Sequence, residues 1–91
     1  MAEVLAEFSN LIAGREAVYQ ARVCGGPMDH GLWEGWIEFR PVGGGPVVRS
    51  PRETTQPNHG DLEYWATGLS TVYLEGALER AQHPEVLTVN D

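Results

Sequence analysis

Residues 17–40, AVYQARVCGGPMDHGLWEGWIEFR, decide how the chain is read. From Ala17 onward, Tyr19, Ala21 and Val23 alternate with Gln20, Arg22 and Cys24, the period of two that turns one side of a strand toward a core. Gly25-Gly26-Pro27-Met28-Asp29-His30-Gly31 concentrates breakers and reads as a turn. A second strand follows from Leu32 to about Arg40. One of its sides carries Trp33, Gly35, Ile37 and Phe39; the other carries Leu32, Glu34, Trp36, Glu38 and Arg40. A connection this short admits only antiparallel pairing.

Downstream, Pro41 and Gly43-Gly44-Gly45-Pro46 end the second strand, and Val47-Val48-Arg49 between prolines forms a short edge strand. Three consecutive strands on short links make an antiparallel meander. Upstream, Val4, Phe8, Leu11 and Ile12 stand at helical spacings over residues 2–13, with Gly14 as the stop, so the pattern predicts an N-terminal helix. Residues 50–60 have no apolar period and hold two prolines, which reads as a polar loop; a helix starts between Asn58 and Asp61.

The C-terminal segment has two apolar stripes, Leu62, Trp65, Ala66, Leu69 and then Leu74, Ala77, Leu78, Ala81. They begin 12 residues apart, a rotation of roughly 120° at about 100° per residue. One straight helix would aim them in different directions: either one stripe packs on the sheet and the other elsewhere, or, as favoured here, the segment breaks near Gly68–Thr71, where Gly68 can stop a helix and Ser70 can cap another. His83-Pro84 ends it. The fold expected is α+β: an N-terminal helix, a three-stranded antiparallel meander and a broken C-terminal helical segment. Residues 1–83 make a single domain, and residues 84–91 a tail or edge strand.

The chain has 91 residues, with thirteen acidic and six basic side chains and a formal charge of −7. All six basic residues are arginines, so Schiff-base, phosphate-loop and Ser-Lys chemistries have no lysine to use. The charge opposes nucleic-acid backbones and anionic membranes. The order of predicted elements is similar in topology to the double-stranded RNA-binding architecture. Asp61 and Glu63, however, stand where such a binder needs basic residues, so the expectation is no nucleic acid and no membrane. Cys24 alone can make no internal disulfide, and the first residues lack the basic start of a signal peptide, which points to a cytoplasmic protein.

No catalytic residues, metal ligands or cofactor motif emerge. His30, His59 and His83 lie far apart, and Cys24 lacks a second cysteine. The glycines at 43–45 run into Pro46 and a strand instead of a helix N-terminus, so they do not cradle phosphate. Two surfaces remain as candidates. The first is ligand binding at Arg52, Glu53, Thr54, Thr55, Gln56 and His59, where Arg52 would hold an anion and Glu53 act as a base. The second is an interface of Leu32 and Trp36 on the far side of the second strand, with Leu74 and Leu78 of the second helical stripe. One small core does not use up that much apolar surface, so the leading expectation is a non-catalytic protein-interaction domain that pairs with a second copy or another protein. The alternative is a small-molecule-binding or enzymatic domain with its site at residues 50–60.

Overall fold

A computed structural model describes residues 2–83. The elements are strands β1 (Glu3–Glu7), β2 (Ile12–Ala13), β3 (Val18–Pro27), β4 (Trp33–Pro41), β5 (Val48–Arg49) and β6 (Thr54–Gln56), then helices α1 (His59–Thr67) and α2 (Thr71–Gln82). All strands pair antiparallel. The long hairpin β3–β4 is the spine; β1 and β2 both pair with β3 along one edge, and β5 and β6 both pair with β4 along the other. The molecule is thus a sheet four strands wide with two interrupted edges and both helices on one face.

The N-terminal helix expected over residues 2–13 is not present: that stretch is β1, a turn and β2. Val4 and Leu11, two members of the supposed helical stripe, are exposed, while Leu5, Ala6, Phe8 and Ile12 pack on the core. The misleading spacing comes from a bulge. The register of β1 slips between Val4 and Ala6, which inserts one residue and erases the alternation that would have marked a strand. Ser9-Asn10 then lies between the two edge pieces as a bend.

A three-stranded meander also undercounts the sheet, since six strands are described. The stretch 50–60 contains β6, with Thr54 opposite Gly35 and Gln56 opposite Trp33. Pro51 hid this strand, because a residue without an N–H interrupts a ladder. The interruption is repaired by Ser50, which is buried. Its hydroxyl accepts from the Ile37 N–H at 3.0 Å and donates to the Pro51 carbonyl at 2.8 Å, replacing the backbone partner that a regular edge strand would have offered.

Gly25 and Gly26 belong to β3 and not to the turn. Gly25 pairs with Gly35, and α1 sits on that pair. A Cβ on Gly25 would lie 2.6 Å from the Glu34 carbonyl oxygen and 2.7 Å from Leu62 Cδ2; one on Gly35 would lie 2.9 Å from Trp65 and 3.0 Å from Leu62. The two glycines therefore make a flat seat that lets the helix approach the sheet closely. The turn itself spans Asp29–Gly31, with His30 and Gly31 at φ 64 and 77.

The helical segment divides between Thr67 and Thr71. Asn58 caps α1 by accepting from Asp61 N–H at 2.8 Å, and Ser70 caps α2 by accepting from Tyr73 N–H at 3.1 Å. The redirection lets both apolar stripes face the same sheet. Leu62, Ala66, Leu74, Ala77 and Leu78 are all buried, the last three among Ile12, Tyr19, Ala21, Val23, Ile37 and Phe39. The tail or edge strand expected over 84–91 lies outside the described residues.

Candidate interaction surface

The two faces of the sheet follow from parity along β3 and β4. Odd-numbered residues (Tyr19, Ala21, Val23, Ile37, Phe39) meet the helices, and even-numbered ones form the helix-free face. That face is built in rows of paired residues. Gln20 lies beside Arg40, and the Arg40 Nη2 donates to Gln20 Oε1 at 2.9 Å. Next come Glu7, Arg22, Glu38 and Arg49. Then follow Val4, Cys24 and Trp36, and finally Gly26, Glu34 and Thr55.

The centre of the face is well ordered chemically. Arg22 grips Glu38 through Nε at 3.1 Å and Nη2 at 2.9 Å, and Trp36 Nε1 donates to the other Glu38 oxygen at 3.3 Å. Burial alone would raise the Glu38 carboxyl, but these hydrogen bonds outweigh it and hold the group below its ordinary value. Arg49 lies over the Trp36 ring at 4.0 Å, a cation–π contact. Trp36 is only 5% exposed. Burial, with the Glu38 charge beside it, pushes the Cys24 thiol up to about 11. Such a thiol is protonated at neutral pH and is a poor nucleophile.

Around this centre the face is apolar and open. Among the described residues, eight large apolar side chains are exposed: Val4, Leu11, Val18, Leu32, Val42, Val47, Tyr64 and Val72. Register puts Val4 and Val18 on the helix-free face. Alternation carried one residue past the strands assigns Leu32, beside Trp33, and Val47, beside Val48, to the same face, and Val42, whose N–H donates to the Val18 carbonyl at 2.9 Å, opens the turn next to Val18. Its charge is balanced as well: within the paired rows, Arg22, Arg40 and Arg49 offset Glu7, Glu34 and Glu38. The −7 of the chain is carried elsewhere.

The interface residues expected from sequence divide accordingly. Leu32 is exposed on this face, and Trp36 lies in its centre beneath Arg49. Leu74 and Leu78 are each 2% exposed inside the core, so the second helical stripe has no surface to offer. Sequence reading did not place Val4, Val18, Val42, Val47 or Arg49 on this face. The parity of the hairpin, carried a residue beyond each strand end, is the signal that finds most of them.

The six residues expected to bind a ligand do not converge. Glu53 turns to the helices with its side chain 5% exposed. Arg80 donates to both its oxygens at 3.0 and 2.8 Å, and the Tyr73 hydroxyl donates at 2.5 Å. Burial and then the hydrogen bond to Glu53 push the Tyr73 hydroxyl up to about 12, and the hydrogen bond to Glu53 raises Arg80. This carboxylate is a clamp between β6 and α2. Thr54 receives a hydrogen bond from Gln56 at 2.7 Å, and Thr55 stands across from Glu34 on the helix-free face. Arg52 is exposed, with Nη1 3.8 Å from Met28 Sδ. His59, at the start of α1, meets Glu3 of β1 through Nε2, lies 3.8 Å from Glu63, and packs edge-on against Trp33. It fastens the first strand to the first helix.

Among the described residues, no group of three or more His, Cys, Asp or Glu is placed to hold a metal ion, and no helix is long and apolar enough to cross a membrane. The class defined by this geometry is an antiparallel sheet backed by two helices on one side and open on the other. No protein-family model, curated protein or solved structure matches the chain.

Proposed function

We propose that the chain is a non-catalytic protein-interaction domain that makes contact through the helix-free face of its sheet. The observation that carries this reading is the gathering of five exposed apolar side chains on or beside one charge-balanced face of an acidic molecule. Open apolar patches on small soluble domains mark contact surfaces. The edges of the sheet support the same choice. Edge strands recruit partners unless blunted, and here a bulge and a break interrupt β1–β2, while Pro51 interrupts β5–β6. Partner strands are discouraged at both edges, which leaves the face. The domain works in the cytoplasm on this reading, where a single buried thiol stays reduced.

Hydroxyl-radical footprinting from low micromolar to near-millimolar protein tests which surface associates. Protection at Val4, Leu32 and Val42 with unchanged labelling at Tyr64 and Val72 is the expected result. Protection confined to Tyr64 and Val72, or none at all, overturns the reading.

A further inference from the structure

The pattern on the helix-free face has a symmetry that names a partner. Counting outward from Ile37 on β4, Trp36 and Glu38 stand one residue away, Glu34 and Arg40 three, and Leu32 and Val42 five. Trp36 and Glu38 are already bonded to each other within the chain, but each of the outer two steps matches a residue with its complement: an acid with a base, and an apolar side chain with another. A two-fold axis that passes over Ile37 and runs across the strands reverses strand direction. It lays β4 of one copy antiparallel over β4 of the next, with Glu34 over Arg40, Arg40 over Glu34 and Leu32 over Val42.

We propose that this protein forms a face-to-face homodimer of that antiparallel geometry, with Glu34–Arg40 ion pairs between copies on either side of the axis. The proposal rests on the reading of the helix-free face as the contact surface, and it adds the partner and the orientation. Three observations favour a second copy as the occupant. A C2 interface must be self-complementary, and the pairs Glu34/Arg40 and Leu32/Val42 about Ile37 are. Two chains of charge −7 repel, but the balanced face lets them approach with their acidic surfaces turned outward. The size also suffices. Ten residues of β3 by four strands give a face of about 34 by 19 Å, or about 650 Å² per copy, so the pair buries about 1,300 Å², within the range of stable specific interfaces.

The residues that would form the intermolecular pairs are available for them. Glu34 makes no ion pair among the described residues, and Arg40 is held only by the neutral Gln20 amide. Glu38 and Arg22, in contrast, are engaged with each other within one chain. Exchanging Glu34 or Arg40 therefore alters contacts between copies and leaves the internal pair alone.

The test is a charge exchange read by sedimentation velocity on the full chain, with circular dichroism as the folding control. Arg40→Glu alone sets a carboxylate against Glu34 on both sides of the axis and weakens dimerisation by about tenfold or more; Glu34→Arg alone does the same with arginines. An equimolar mixture of the two variants restores dimers, because each mixed pair then meets opposite charge at both positions. The double variant restores them too. If both single variants weaken association and the mixture stays monomeric, the antiparallel geometry is wrong while the contact face stands. If neither weakens it, the dimer does not use these residues and the proposal falls. Should a charge reversal impair folding, Arg40→Gln and Glu34→Gln serve instead: each weakens wild-type dimers and removes part of their salt dependence. Unchanged salt dependence in both overturns the proposal.

Discussion

The two faces of one sheet are built from the same alternating strands and hold together in opposite ways. On the helix side, glycines and long apolar residues pack closely, and the Glu53 carboxylate is closed by an arginine and a tyrosine. On the open side, an arginine lies over a tryptophan, and a carboxylate is shared between Arg22 and Trp36. Packing of the first kind fails when an atom is added. Contacts of the second kind give way gradually, which suits the contact surface proposed above.

The packed face is most sensitive at the glycine seat. Gly25→Val places side-chain atoms where even a Cβ would be 2.6 Å from a backbone oxygen, and overpacking of this sort costs about 3 kcal/mol or more. A domain of this length has only about 5–13 kcal/mol to lose. Gly43→Ala, where nothing lies within 4 Å of the added carbon, should shift stability by less than about 0.5 kcal/mol. Urea denaturation of both variants measures the difference; equal stabilities would mean that α1 does not need the close approach.

Glu53→Ala comes next. It leaves Arg80 and the Tyr73 hydroxyl without their acceptor. Breaking a fully buried ion pair costs about 3–5 kcal/mol, and because the Arg80 side chain is 34% exposed the expected loss is smaller, about 2–3 kcal/mol. A loss below about 0.5 kcal/mol in urea denaturation, the range of an ordinary surface substitution, would show that the clamp between β6 and α2 carries little.

That clamp shows where sequence reading ends. Glu53 in a polar stretch beside His59 looked like a base in an open site, and only the fold brings Arg80 and Tyr73 to it. The hairpin was legible because β3 and β4 pair along almost their whole length, so alternation survives; the helix break was legible because two stripes out of phase need two helices. The edges were not. The bulge at Leu5 and the proline after Ser50 each disturb the period of two on which recognition of a strand depends. The placement of the expected interface residues was half legible. Parity put Leu32 and Trp36 on the far face, but the stripe with Leu74 and Leu78 could be assigned to the core only once α2 had turned back onto the sheet.

Alkaline pH sharpens the contrast by a smaller amount. The folded-state value of Tyr73 is about 12 against an ordinary 10.0, so the stability its neutral hydroxyl contributes is whole below pH 10 and is lost as the pH rises toward 12. Cys24 acts in the same direction between 9.0 and about 11, so the comparison belongs in a Cys24→Ala background. There, Tyr73→Phe should flatten the fall in stability between pH 10 and 12 measured by urea denaturation. An unchanged slope would assign the alkaline transition to another group.

The smallest effect belongs to the open face. Arg49→Ala removes the cation over Trp36, an exposed contact of about 0.5–1 kcal/mol, and leaves every helix-side contact in place. Stability should fall by no more than that, while acrylamide quenching of tryptophan fluorescence rises as the ring is uncovered. Trp65 belongs to α1 and Trp33 packs against His59 on the helix side, away from Arg49, so the increase over wild type reports Trp36. A loss as large as that of Glu53→Ala would mean that Arg49 holds the fold together, and the division between a packed face and an open one would not stand. A small loss with increased quenching shows that the covering of Trp36 is separable from the core, as a contact surface requires.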